Sequence, residues 1–192
     1  MNKDIVVARY NEDISWLSNI NTIYNKVIYN KGENNLEYAS IPLKNWGGDA
    51  HTYIHHIVNN YDNLADYTVF IQGHPFDHSV NAIELINNHT NEDFMYLADY
   101  ICTESIVGWY EHLIMRRPPE YPVLLLQEAG QYILGNECPS MVTFGAGQQF
   151  IVSKDIIQRR NKEFYLKILM RFDIDFLLPW HIERLWNSIL NV

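Results

Sequence analysis

The feature that most limits the possible folds of this chain is a run of β-branched and aromatic residues at 67–71, which ends at Gly73 and Pro75. Its continuous apolar character is typical of a strand that is covered on both faces. Gly73 and Pro75 prevent the strand from continuing. In an open α/β sheet, ligands bind beyond the carboxyl ends of such strands. The sequence therefore predicts a buried central strand with a metal or phosphate site at its end, where the polar residues are Gln72, His74, Asp77 and His78.

The same stretch also fits an ordinary turn. In that interpretation Asp77 caps a helix over residues 79–86, and the histidines are polar surface groups. The residues of this stretch leave both interpretations open.

Two earlier runs, residues 5–8 and 26–29, are predicted strands that also end in polar residues. A short helical segment is expected over 14–21, a turn at Pro42, and a helix over 50–61 that Asp49 caps. This alternation predicts parallel βαβ connections. The three strand exits would then meet at one edge of the sheet, and the first two supply Arg9, Tyr10, Asn11, Glu12, Asn30 and Lys31.

These exits predict a nucleotide site. Arg9 and Lys31 would offer positive charge to a diphosphate, Asn11 and Asn30 would bond a ribose or base, and Asp77 with a histidine would hold a divalent ion. An ordinary surface ion pair between Arg9 and Glu12 is the simpler alternative.

The second half of the chain has a less regular pattern. We expect a strand over 94–100, a turn at 117–120 and a helical stretch over 123–134. The small residues 145–147 form a turn that lets a ligand approach the backbone closely and that opens into a strand. Ser153 then caps a helix that reaches Leu169. A last helix begins after Pro179 and places His181 near Arg184.

Length and charge exclude several classes of protein. With 192 residues, a single domain is expected, divided into a nucleotide-binding half (1–90) and an acceptor half (91–192). The net charge of −9 argues against binding to nucleic acid. Two cysteines without CxxC spacing indicate neither a disulfide framework nor a thiolate zinc site. No apolar run is long enough to cross a membrane, so a cytoplasmic location is expected. The abundance of asparagine and isoleucine indicates an AT-rich genome.

Common catalytic motifs are missing from the sequence. His51 and His55 lie one helical turn apart, but the glutamate of the zinc metalloprotease motif does not follow His51, so structural histidines are expected. No nucleophile elbow, Walker loop or dinucleotide fingerprint occurs. Glu183 is a candidate general base, although a glutamate on a helix surface is the commoner case.

Five separated stretches together resemble a family known only as a domain of unknown function, found in bacteria, fungi, plants and large DNA viruses. They occur in order along nearly the whole chain, at residues 6–13, 29–32, 69–78, 145–150 and 183–186. This family in turn resembles the GT-A fold glycosyltransferases. There an opening strand and its loop hold the nucleotide, a central strand ends in a metal-binding Asp-x-Asp, and a glycine-containing strand and a helix form the acceptor side.

The resemblance implies a mostly parallel, GT-A-like α/β sheet flanked by helices, with Glu183 as the base. It places the acceptor at Gly145, Ala146, Gly147, Gln148 and Trp186. It adds Gln72 to the nucleotide-sugar site and His181 to the predicted metal ligands His74, Asp77 and His78. At the Asp-x-Asp position this chain has Gln72-Gly73-His74, and the carboxylate is displaced to Asp77.

The leading hypothesis is therefore a glycosyltransferase. It moves a sugar from a nucleoside diphosphate sugar to a glycan or another hydroxyl acceptor, assisted by Mn²⁺ or Mg²⁺. One alternative is a metal-dependent hydrolase, such as a phosphoesterase, built on His74, Asp77 and His78. Another is a non-catalytic carbohydrate- or nucleotide-binding module whose many Tyr and Trp residues provide stacking surfaces.

Overall fold

A six-stranded sheet organises the computed structural model, which describes residues 1–34, 37–107 and 125–192. Its spatial order is β3-β2-β1-β4-β8-β5. Neighbouring strands among β3, β2, β1 and β4 are parallel, whereas β8 is antiparallel to both β4 and β5. The strands are β1 (Lys3–Arg9), β2 (Tyr24–Asn30), β3 (Ile41–Pro42), β4 (Tyr67–Gln72), β5 (Phe94–Tyr96) and β8 (Phe150–Ser153).

The predicted central strand is confirmed, because β4 lies inside the sheet between β1 and β8. Val69, Phe70 and Ile71 are fully buried, because both faces of the sheet are covered. Phe70 packs into the core on one face, and Val69 and Ile71 pack into the core on the other. The parallel pairing of β1, β2 and β4 is also confirmed, so the polar residues that follow these three strands lie at the same edge.

Helices cover both faces of this sheet. One face packs against α1 (Gly48–Asn60), α5 (Lys162–Arg171) and α6 (Leu178–Leu190), around a core that contains Tyr53, Phe70 and Trp186. The other face packs against a 3₁₀ helix (Ser15–Asn19) and α2 (Ala82–Asn87). Each helix buries an apolar stripe, as the 3.6-residue period requires.

A small second sheet pairs β6 (Ile101–Ser105) with β7 (Met141–Gly145) in antiparallel fashion. Helix α6 packs against β7, and α3 (Leu126–Leu134) packs against α6. β7 leads directly into the glycine-containing loop before β8, so this hairpin positions that loop against α6.

Four local predictions were wrong. Pro42 ends a two-residue edge strand instead of forming a turn. Asp49 caps no helix, since α1 begins after Gly47 in a left-handed conformation and its N-cap has no side-chain bond. Asp77 lies in a 3₁₀ turn (Pro75–Asp77), and Asn81 precedes α2. Ser153 caps only the short helix α4 (Lys154–Ile157), because Asn161 starts α5 separately.

Other predicted segments are found, or fall partly outside the described chain. β5 occupies the start of the predicted strand 94–100, and α3 occupies 126–134 of the predicted helical stretch. The predicted turn at 117–120 lies outside the described residues. Within the described ranges, no helix is long and apolar enough to cross a membrane.

Candidate functional site

The loops that follow β1 and β2 are fastened to each other. The Lys31 amide donates to the carbonyl of Arg9 at 2.8 Å, and the Glu33 amide donates to Asn11 Oδ1 at 2.9 Å. The Gly73 amide continues the β4 pairing by donating to the carbonyl of Ala8 at 2.8 Å. The three predicted strand exits are therefore one connected surface.

Arg9 holds this surface together from inside. It is 4% exposed, and its Nη1 donates to Asn30 Oδ1 at 2.8 Å and to the carbonyls of Tyr10 and Glu33 at 3.0 Å. Its Nε donates to the carbonyl of Glu12 at 3.0 Å. These contacts give Arg9 and the buried Asn30 a structural role in the two loops, and they differ from the predicted contacts with a diphosphate and a ribose.

Lys31 is similarly occupied by main-chain oxygens. Its ammonium donates to the carbonyls of Trp46 at 2.8 Å and Gly48 at 2.5 Å, just before α1. Burial lowers the pKa of Lys31 to about 8, and the nearby Asp49 carboxylate opposes that shift. Lys31 thus fixes the start of α1 relative to the exit of β2.

Asp49 is a site residue that sequence reasoning assigned to a helix cap. Its Oδ2 accepts a 2.8 Å hydrogen bond from Gln72 Nε2, at the end of β4. Burial raises the pKa of Asp49 to about 6; the Gln72 bond and Lys31 oppose this, while Glu12 and Glu183 add to it. The charges of Glu12 and Glu183 therefore act on Asp49, although these residues are far apart in the chain.

Glu183 is held in place by two donors. Its Oε1 accepts from the Gly147 amide at 2.9 Å, and its Oε2 accepts from Arg184 Nη1 at 3.1 Å. Arg184 is itself fixed by Glu104 Oε1 at 2.8 Å and by the carbonyl of Trp180 at 3.0 Å. The Glu183 side chain is 17% exposed. The two donors orient a carboxylate at the rim of the sheet, and a fixed orientation is one requirement of a general base.

Glu12, in the loop after β1, is the third of these carboxylate residues. Its Oε2 accepts from the Tyr10 amide at 2.6 Å and lies over Gly73. A Cβ at position 73 would come within 2.7 Å of this oxygen, so the glycine at the end of β4 makes room for Glu12. We call Glu12, Asp49 and Glu183 the carboxylate triad. Its oxygens can bind hydroxyl donors and accept a proton from one of them.

The glycine-containing loop, residues 145–148, contacts the carboxylate triad through the Gly147 amide, which donates to Glu183. Gly147 lies in the left-handed region at φ 81°, and a Cβ there would collide with the His78 ring at 2.6 Å. Gly145 and Gln148 are buried, and Ala146 is partly so. Gln148 Oε1 accepts from Trp186 Nε1 at 3.3 Å, and Trp186 is 1% exposed in the core. Gln148 and Trp186 therefore contact each other in the interior, and the acceptor site expected at this loop stays a prediction.

Gln149 was not singled out from the sequence, yet it joins the β4 exit to this loop. Its Oε1 accepts from the Gln72 amide at 3.2 Å, and its Nε2 donates to the carbonyl of Pro75 at 3.1 Å. The pair Gln148-Gln149, directly after the glycines, was the sequence feature that could have indicated this role.

The predicted metal ligands do not form a metal site. His74 Nε2 and Asp77 Oδ1 are 3.5 Å apart and both are exposed, while His181 is buried in α6 and burial lowers its pKa to about 3. In the described parts of the chain, no three His, Cys, Asp or Glu side chains are grouped to hold a metal ion. The set His74, Asp77, His78 and His181 therefore does not fit Mn²⁺ or Mg²⁺.

A cavity of about 400 Å³ opens beside Glu12. It is lined by the β1 loop, including Asn11, Asp13 and Ser15, and by Glu37 and Tyr38 from the segment before β3. Its acceptor-rich lining suits a ligand that carries several hydroxyl donors, and the Tyr38 ring offers an aromatic face.

We expect the contribution of Asp49 to the free energy of unfolding to fall as pH rises from about 4 to about 6, because Asp49 keeps its proton longer in the folded state. At lower pH the carboxyl is protonated in both states, so burial has no cost; above pH 6 it is ionised in both, and the full cost applies. A shift of roughly two pH units corresponds to about 3 kcal/mol. Urea denaturation should therefore show Asp49→Asn to be more stable than the wild type at pH 7.5, with little difference at pH 4.

The exposed Asp77 provides the control, because Asp77→Asn should change stability by no more than about 0.5 kcal/mol at either pH. An Asp49→Asn effect that is the same at pH 4 and pH 7.5 would show that the Asp49 carboxyl is not destabilised by its surroundings.

The chain belongs to the family described as "Protein of unknown function (DUF3431)", whose model matches residues 5–192. No curated protein and no solved structure matches the chain.

Proposed function

We propose that this protein transfers a glycosyl group from a nucleoside diphosphate sugar to a hydroxyl acceptor. The observation that carries the proposal is the placement of the carboxylate triad at one edge of the sheet, where Glu12 lies at Gly73, Asp49 accepts from Gln72 and Glu183 accepts from the Gly147 amide, near the half-buried Lys31. Oxygen acceptors at such an edge match the hydroxyl-rich chemistry of sugars. The resemblance of this family to the GT-A fold glycosyltransferases points to the same reaction class.

The arrangement of elements supports the proposal further. The opening strand β1 lies next to the central strand β4, and the glycine-containing loop leads into β8 on the other side of β4. Glu183 reaches the same edge from the last helix. This order of elements supports the division into nucleotide side, central strand and acceptor side that the resemblance implies.

Glu183 acts as the general base in this account. Its carboxylate takes the proton of the acceptor hydroxyl as that oxygen forms a bond to the anomeric carbon. The bond from the anomeric carbon to the diphosphate breaks, and the nucleoside diphosphate leaves with the electron pair. Arg184 and the Gly147 amide keep the base oriented throughout.

The donor binds in the cavity of the β1 loop. Its ribose hydroxyls donate to Glu12 and Asp13, and its base lies against Tyr38. Glu12 lines this cavity and belongs to the carboxylate triad, so the nucleoside and the reacting sugar occupy neighbouring parts of one site.

The test is acceptor-dependent release of a nucleoside diphosphate. The protein is incubated with each of several UDP-, GDP-, CDP- and dTDP-sugars, with a mixture of glycosides as acceptors, in the presence and absence of Mn²⁺. Formation of a larger glycoside together with nucleoside diphosphate supports the transferase. Release of phosphate from a simple ester without an acceptor would instead establish the hydrolase, and binding without turnover would establish a binding module.

A further inference from the structure

The ring of His78 lies against the glycine that binds the proposed base. A Cβ built on Gly147 would come within 2.6 Å of Cγ and Cδ2 of His78 and within 2.7 Å of its Cβ. These three nearest atoms are all carbons, so the contact depends on the shape of the ring. Position 147 therefore requires glycine for two reasons, this contact and a φ of 81°.

A glycine by itself holds a hydrogen-bond donor poorly, because its backbone has access to more conformations than that of any other residue. The Gly147 amide nevertheless donates to Glu183 Oε1 at 2.9 Å. The amides on either side of it are anchored by bonds of 3.1 and 3.2 Å to main-chain carbonyls. Between these anchors, the atoms that meet Gly147 on its open side are those of His78.

His78 is itself held by main-chain bonds. Its amide donates to the carbonyl of Pro75 at 3.2 Å, and its carbonyl accepts from the Asp99 amide at 2.7 Å. Gln149 is fully buried, and its Nε2 donates to the same Pro75 carbonyl at 3.1 Å. The turn that carries His78 and the loop that carries Gly147 are therefore joined at two points, the Gln149 amide and the His78 ring.

The sequence predicted His78 to be a metal ligand. In the residues that the structure describes, no three suitable side chains are grouped around an ion. His78 is half-buried, and the carbon edge of its ring meets Gly147. A steric role explains this contact, and it needs neither a metal ion nor a ring nitrogen.

We propose that His78 is a positioning residue for Glu183. Its ring keeps Gly147 in place, and the Gly147 amide keeps the Glu183 carboxylate in the orientation of a base. The catalytic meaning of this contact rests on the proposed function, whereas its effect on the Gly147 amide does not.

The test compares His78→Ala with His78→Phe, because phenylalanine keeps a ring and has no ring nitrogen. The first measurement is the proton chemical shift of the Gly147 amide in a nitrogen–proton NMR spectrum of the full chain without substrate. Glu183→Gln gives the reference shift for an amide that has lost its charged acceptor. We expect the signal in His78→Ala to move toward that reference, and the signal in His78→Phe to stay close to the wild-type position.

The second measurement is kcat for glycosyl transfer. His78→Ala should lower kcat by about 10- to 100-fold with the KM for the donor unchanged, because a small displacement of a catalytic group has an effect of this size. His78→Phe should keep most of the activity. Phe76→Ala is the matched control, because Phe76 is a half-buried ring of the same turn that packs against Trp16, and it should keep the wild-type amide shift and kcat.

An unchanged Gly147 signal in His78→Ala would overturn the inference. Equal losses of kcat in His78→Ala and His78→Phe would also overturn it, because an imidazole nitrogen would then act directly. If the Gly147 signal responds as expected but no protein in the series transfers a sugar, the proposed function fails and the effect of His78 on Glu183 remains.

Discussion

Glu183→Gln should lower kcat for glycosyl transfer by about 100-fold or more, because removing a general base typically costs 10²–10⁴ in rate. Glutamine has the same shape, and its Oε1 can still accept from the Gly147 amide, so the fold should persist. It cannot take the proton of the acceptor hydroxyl. The measurement is kcat at saturating donor and acceptor, together with the thermal midpoint of each protein.

Glu104→Gln is the matched control, since Glu104 and Glu183 each give one carboxylate to Arg184. Only Glu183 belongs to the carboxylate triad. We expect Glu104→Gln to lose much less activity, and equal losses in the two variants would show that Glu183 acts through Arg184 and not as a base.

Arg9→Ala should lower the free energy of unfolding by about 2–4 kcal/mol, because it leaves the buried Asn30 and three part-buried carbonyls without their charged donor. Arg9→Lys should recover only a small part of that loss, since one ammonium cannot replace the planar fork. Urea denaturation measures both. Arg159→Ala is the control: this exposed arginine donates to the carbonyl of Asn191, and its loss should cost less than about 1 kcal/mol.

The same series separates two roles for Arg9. If its charge faced a diphosphate, Arg9→Ala would keep its stability and lose nucleotide affinity. A stable Arg9→Ala protein would therefore contradict the structural role that we assign from its contacts.

The strand exits were the most predictable part of this protein. Val69 to Ile71 form an uninterrupted apolar run, and Gly73 ends it, so the position of β4 follows from local sequence. The parallel order of β1, β2 and β4 follows from the alternation of strands and helices. Convergence of their polar residues at one edge is a direct consequence.

Which residues form the site was less predictable, because this depends on contacts between residues that are far apart in the chain. Asp49 stands at the start of a helix, where a capping role is the usual expectation, but Gly47 already provides the left-handed turn and frees Asp49 to meet Gln72. Arg9 and Trp186 have side chains that commonly bind ligands. Here they are buried, which no local pattern reveals.

The most direct measurement is thermal stability in the presence of nucleoside diphosphates and their sugars, each with and without Mn²⁺. A ligand at a hundred times its dissociation constant adds about 2.7 kcal/mol to the free energy of unfolding, which shifts the midpoint visibly. We predict such a shift with one nucleotide, and a smaller one when Glu12→Ala removes the carboxylate shared by the cavity and the triad. A shift with none of these nucleotides, or one that Glu12→Ala leaves unchanged, would contradict a nucleotide-sugar site at this edge of the sheet.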